Sequence, residues 1–196
     1  MRAVFFDIDT QLDFVSAGGA LYVPGAEEIL PAVAALNRLA GERGIPLIST
    51  MDAHAEDDPE FKLWPHHCVA GALGQRKPVS TLLGETVLFP SRRRSIPLAG
   101  AKQILLEKQT LDAFTNENLP GLLAEFAADG FVVYGVVTEI CVRIAALELL
   151  KTGKRVEIVE DAVRPLDGAV GARTLADFRA AGGAVVSLSE VCGRAG

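Results

Sequence analysis

The chain has 196 residues, 49% hydrophobic, 22% charged and 6% aromatic, enough for one sizeable core and too few for two ordinary domains. Its 19 Lys and Arg against 25 Asp and Glu leave a formal charge of -6, which argues against nucleic acid as a partner. The one basic run, Arg92-Arg93-Arg94, lies among Ser and Pro without interleaved aromatics and reads as a solvated loop.

The first apolar run, Ala3 to Phe6, is too short for a signal-peptide core or a membrane span, and predicts a cytoplasmic protein with no membrane partner. Asp7, Asp9 and Asp13 follow it. Strand alternation puts Asp7 and Asp9 on one side, with Asp9 nearer the open end; these acids either cap a turn or face a crevice. Ala26 to Leu39 has helical spacing, and a second apolar run covers Pro46 to Ser49.

Asp52-Ala53-His54 follows, then Glu60 and Trp64-Pro65-His66-His67-Cys68, so all three histidines fall within fourteen residues. An Asp-x-His pair after a strand, with a later His, can hold one divalent metal; the other reading is a chance cluster on a polar loop. The stretch from about 53 to 97, with Pro59, Pro65, Pro78 and Pro90, fits neither period and predicts a loop excursion.

The third run, Gln103 to Leu106, ends at Lys108, which either snorkels or does chemistry. Leu119 to Ala128 is a predicted helix, and Phe131 to Val137 a fourth strand running directly into a helix over Glu139 to Leu150. Thr138 is the expected N-cap, which places Cys141 at the third helical position, where free N–H groups favour a thiolate or an oxyanion; a buried structural Cys is the alternative. Val156 to Val159 and Ala184 to Leu188 complete the strands, with a helix over Ala169 to Ala181 between them. Cys68 and Cys192 have no comparable setting, although Cys68 adjoins His67; three widely spaced cysteines do not form a disulfide framework.

Continuous apolar strands alternating with helices predict a single α/β domain over 1–196. Its form is a three-layer α/β/α doubly wound (Rossmann-like) sheet of about six parallel strands, with its crevice at the carboxyl ends of the strands.

Together these segments resemble the isochorismatase-like cysteine hydrolase superfamily, and within it the nicotinamidase/pyrazinamidase group. Asp9-Thr10-Gln11-Leu12-Asp13-Phe14 is similar to the D-x-Q-x-D-F segment, Asp52-Ala53-His54 to D-x-H, and Trp64 to Val69 with Gly71 and Gly74 to W-P-x-H-C-V-x-G. Lys108 with Asp112-Ala113-Phe114 is similar to the catalytic-lysine segment, and Gly135 to Val142 to the nucleophile corner G-x-x-T-[DE]-x-C-V.

The resemblance implies Cys141 as nucleophile, Asp9 as proton acceptor and donor, and Lys108 as the cation lowering the thiol pKa. It also implies a cis peptide between Val136 and Val137, and an oxyanion hole from the N–H groups of Val137 and Cys141. Asp52, His54 and His67 would be metal ligands, with Glu60 a fourth candidate and His66, the variable residue of its motif, not in contact with the metal. The metal would be Zn²⁺, with Fe²⁺ or Mn²⁺ as alternatives, and Phe14 and Trp64 would flank the substrate; both aromatics also read as core. The implied activity is hydrolysis of nicotinamide to nicotinate and ammonia by a homo-oligomer, a dimer or tetramer. The alternatives are hydrolysis of another small amide or carbamoyl compound, and a non-catalytic metal or small-molecule binding module. Three positions depart from the family pattern: Ala53 in place of a common Trp, Ala72 of a frequent Thr, and Gln109 of the usual Gly.

Overall fold

A computed structural model describes residues 2–98 and 100–194. Its strands are β1 (Ala3–Ile8), β2 (Leu47–Asp52), β3 (Thr86–Phe89), β4 (Gln103–Lys108), β5 (Gly130–Val136), β6 (Arg155–Arg164) and β7 (Ala184–Val186). The helices are α1 (Leu12–Val15), α2 (Leu30–Arg43), α3 (Leu119–Phe126), α4 (Arg143–Leu150), α5 (Gly168–Ala180) and α6 (Leu188–Arg194). The seven strands form one sheet in the order β3-β4-β2-β1-β5-β6-β7, and every pairing is parallel. No helix among the described residues is long and apolar enough to cross a membrane.

The central strands β1, β2 and β5 are buried almost end to end, as continuous apolar runs require between two helix layers. The chain leaves β1 towards β2 on one side and leaves β5 towards β6 on the other. With right-handed crossovers α2 and α4 therefore lie on opposite faces, and the ends of β1 and β5 form a topological switch point.

The strand count is seven rather than about six. The additional strand, Thr86–Phe89, lies inside the stretch read as a loop excursion. It is an edge strand with Thr86 and Leu88 exposed and Phe89 buried, so its four residues lack the continuous apolar signature of the central strands. Ala26–Ile29 forms a 3₁₀ turn before α2 rather than part of that helix. α2 then ends at Gly44, whose φ of 64° supplies the left-handed cap.

Asp7 and Asp9 do not share a side. β1 ends at Ile8, and Asp9 turns out of the strand with φ 48°, which breaks the alternation. Asp7 instead faces a fully buried polar cluster. Its carboxylate accepts from Thr10 Oγ1 (2.6 Å), Ser49 Oγ (3.0 Å) and Asn37 Nδ2 (3.2 Å), and pairs with Lys77 Nζ at 3.2 Å. Tyr134 Oη donates to Asn37 Oδ1 (2.7 Å), so β1, β2, β5, α2 and the excursion meet in one network. Gly135 has φ 116°, and a Cβ there would stand 2.1 Å from the Ile8 carbonyl oxygen, so β5 approaches β1 this closely only without a side chain.

Removing the Lys77 ammonium would leave the Asp7 charge buried without a counter-ion. Lys77→Met is expected to cost about 3–5 kcal/mol, read as a lower urea midpoint with an unchanged far-UV spectrum.

Candidate active site

Four neighbouring strand ends converge at the switch point. The β2–β4 register pairs Asp52 with Lys108, and the β1–β5 register brings Ile8 beside Gly135, so Asp9, Asp52, Lys108 and the turn carrying Cys141 adjoin. Asp9, Phe14, Asp52, Glu60, Trp64, His67, Val137 and Cys141 line one pocket, whose remaining wall is apolar and includes Leu21, Val23, Leu111, Ile140 and Leu166. Leu21 and Val23 share the loop after α1, and Leu111, Ile140 and Leu166 come from three other turns, so nothing local in the sequence groups them.

Lys108 is buried at the centre. Its Nζ contacts Asp52 Oδ1 closely, lies 2.9 Å from Asp9 Oδ2, donates to the Thr110 carbonyl at 3.1 Å and stands 3.8 Å from Cys141 Sγ. Burial alone would lower its pKa, but Asp52 and Asp9 outweigh burial and hold it well above the ordinary lysine value. The ammonium is therefore permanent at neutral pH.

Asp9 is held from the side away from the thiol. Its Oδ1 accepts from Thr50 Oγ1 at 2.6 Å, and its N–H donates to the same hydroxyl at 3.1 Å. Its Oδ2 is buried and, apart from the Lys108 charge, has no hydrogen-bond partner. That oxygen is open to a proton from the Cys141 thiol.

Lys108 acts on the thiol in the expected direction, lowering its pKa, but is outweighed. Burial raises Cys141 well above the ordinary thiol value; Lys108 opposes this, but Asp9 and Asp52 raise it further. The ammonium lies closer to both carboxylates than to the sulfur, so its charge is largely spent on them. Cys141 is thereby favoured as the thiol.

The nucleophile corner also differs from an ordinary helix start. Thr138–Val142 forms a π-helical turn ahead of α4, with Val137 in the capping position. Thr138 does not act as the N-cap: its buried hydroxyl has no partner, and Cys141 is the fourth residue of the turn rather than the third of a helix. The Val137 carbonyl accepts from the Ile140 and Val142 N–H groups, passing over that of Cys141. The Val136–Val137 peptide is cis.

Asp52, His54 and His67 each bring a ligand atom to within 4.8 Å of the other two, and all three residues are buried. His54 Nδ1 is engaged by Asp58 Oδ2 at 3.0 Å and His67 Nδ1 by the Pro65 carbonyl at 2.8 Å. Both rings therefore keep Nε2 for another partner, and His54 Nε2 is buried without one. Burial holds His67 below the ordinary imidazole pKa, which favours the neutral, ligating ring. This donor set fits a divalent ion. Glu60 is half-buried in the pocket wall but outside the 4.8 Å group. His66 stacks on Phe61 with ring centroids 4.1 Å apart, outside the same group. Cys68 is buried with φ 45° and also stands outside it, Cys192 is exposed, and the side chains of Arg92, Arg93 and Arg94 are exposed.

Phe14 is buried, with its ring centroid 5.4 Å from that of His67, and Trp64 is half-buried at the opening. Asp58 and Thr50, which hold His54 and Asp9, were not anticipated. A short polar residue near a ligand or a strand end carries no signal until the fold brings it into contact.

A model of the Isochorismatase domain matches residues 3–190. The chain is 24% identical to the nicotinamidase of Escherichia coli (strain K12) over 208 aligned positions, covering 93% of each. It is 27% identical to the maleamate amidohydrolase of Pseudomonas putida, covering 80% of this chain and 69% of that protein. The crystal structure of the pyrazinamidase of Pyrococcus horikoshii in complex with zinc superposes with a TM-score of 0.80 at 27% identity, covering 95% of this chain and 99% of that one.

Because two carboxylates and burial keep the thiol protonated, Asp9→Ala is expected to alkylate faster than the unmodified protein at pH 7. In the unmodified protein the rate should climb only above the ordinary thiol range. Iodoacetamide labelling of Cys141 against pH, followed by mass spectrometry, reads both.

Proposed function

Given that the chain belongs to the isochorismatase family, we propose that it is an amidohydrolase acting on nicotinamide, releasing nicotinate and ammonia through a thioester on Cys141. The observation that carries this reading is the buried Asp9–Lys108–Cys141 constellation beside the Asp52–His54–His67 donor set, in a pocket with an otherwise apolar wall.

The substrate carboxamide enters between Phe14 and Trp64. Cys141 Sγ attacks its carbon while the thiol proton passes to Asp9 Oδ2, so the thiolate develops only as the C–S bond forms. The carbonyl oxygen takes up the negative charge facing the N–H groups of Val137 and Cys141. Asp9 then gives its proton to the departing nitrogen, ammonia leaves and a thioester remains. Asp9 next takes a proton from water, the hydroxyl adds to the thioester carbon, and the acid leaves as the proton returns to sulfur. Lys108 stays protonated throughout and holds Asp9 in register. A bound divalent ion, zinc in this reading, would be held by Asp52, His54 and His67 and would supply a Lewis acid that anchors a lone pair of the substrate, such as the ring nitrogen.

A second reading, hydrolysis of another small amide, is favoured by the likeness to a maleamate amidohydrolase at comparable identity. Ammonia release from nicotinamide by the metal-loaded protein is expected, with Cys141→Ala lowering it by about 10³-fold or more. Release from maleamate alone would favour the second reading. No ammonia from either amide would overturn the proposal.

A further inference from the structure

The three metal-ligating side chains come from two segments distant in sequence, Asp52 and His54 at the end of β2 and His67 in the excursion. Backbone pairing joins them in part: His54 N–H donates to the Cys68 carbonyl at 3.1 Å, and Ala70 N–H to the His54 carbonyl at 2.9 Å. Asp52 is in register with Lys108 on β4, and the Ala53 N–H donates to the Lys108 carbonyl at 2.8 Å, but Asp52's own N–H and carbonyl are left to another partner, and the His67 segment is fixed only on the side facing β2.

Both gaps are filled from the turn after β1. Gln11 is fully buried, and its amide brackets Asp52: Oε1 accepts from the Asp52 N–H at 2.7 Å, and Nε2 donates to the Asp52 carbonyl at 2.8 Å. The second N–H of the same group donates to the Gln75 carbonyl at 2.8 Å. Two residues on, Asp13 Oδ2 accepts from the Cys68 N–H at 2.7 Å, on the residue adjoining His67, while Oδ1 accepts from the Ala20 N–H at 3.0 Å. The excursion is drawn in closely: a Cβ on Gly74 would stand 2.0 Å from Asp13 Oδ2. Backbone bonds from Leu12 N–H to the Arg76 carbonyl (2.8 Å) and from Asp13 N–H to the Gly74 carbonyl (3.0 Å) complete the contact.

We propose that Gln11 and Asp13 are positioning residues for the metal centre, forming a brace that fixes the Asp52 and His67 segments at ligating distance. The proposal rests on the reading of Asp52, His54 and His67 as metal ligands. Neither side chain belongs to the donor set. Each acts through a main-chain group at or beside a ligand, so its loss loosens ligand geometry before it unfolds the sheet.

The test is zinc affinity of the purified full chain by chelator competition, with the visible spectrum of the cobalt-loaded protein reporting ligand geometry. Gln11→Leu and Asp13→Ala are each expected to weaken zinc binding about 10–100-fold and to alter the cobalt bands. Where either variant fails to fold, the near-isosteric Gln11→Glu and Asp13→Asn take its place. Asn118→Ala is the control. That side chain braces another loop, donating to the Pro90 and Arg92 carbonyls at 2.8 and 3.0 Å. Its loss should lower the melting temperature and leave zinc affinity within twofold. Brace variants that bind zinc as tightly as the unmodified chain would overturn the brace and leave the metal reading standing. An unmodified chain that binds no zinc would overturn both.

Discussion

The Lys108 ammonium sits between two carboxylates and a thiol with almost no access to water. Burying any one of these charges alone costs several kcal/mol, and the group repays that cost only because one cation serves two anions at contact distance. The arrangement constrains the fold around it. Asp52 and Lys108 must be register partners on β2 and β4, β1 must lie directly beside β2, and β5 must approach β1 closely enough for Gly135 to pass the Ile8 carbonyl. The same balance sets the chemistry. Burial, Asp9 and Asp52 outweigh Lys108 at the sulfur, so in the reaction we propose, proton transfer accompanies attack instead of preceding it.

A second cation is buried as well. Lys77 and Asp7 form an ion pair inside a shell of hydroxyl and amide groups from β1, β2, α2 and β5. The two cations face different ends of the same short sequence, because the left-handed Asp9 turns the chain between Asp7 and the site. One pair ties the excursion to the sheet, and the other gathers Asp9, Asp52 and Cys141 around Lys108.

Much of this was legible in the sequence because the central strands are buried on both faces and therefore appear as unbroken apolar runs. The polar residues that end them, Asp9, Asp52 and Lys108, stand out against those runs, and the Asp-x-His spacing is short enough to read locally. Other features were not local. β3 is a half-exposed edge strand of four residues whose pairing with β4 decides its conformation. The left-handed turn at Asp9 and the π-helical turn at Thr138–Val142 depend on tertiary contacts, and no helix-start rule distinguishes a π turn from an α turn. The net shift of the thiol was harder to read: the charges of Asp9, Asp52 and Lys108 are visible in the sequence, but the burial that outweighs Lys108 is not.

Every side chain in the charged constellation lies at or just beyond the end of one of four adjacent strands, β4, β2, β1 and β5, while β3, β6 and β7 flank them. Neighbouring strands lie about 4.8 Å apart, so the reacting groups occupy a strip about 14 Å wide in the middle of the sheet. From the margins, Leu166 after β6 reaches the pocket wall, while β3 and β7 contribute no residue to it. The turns beyond β3 and β7 can lengthen or shorten without any residue of the strip changing its strand neighbours, whereas an insertion between Ile8 and Asp13 would displace Asp9, Gln11 and Asp13 together.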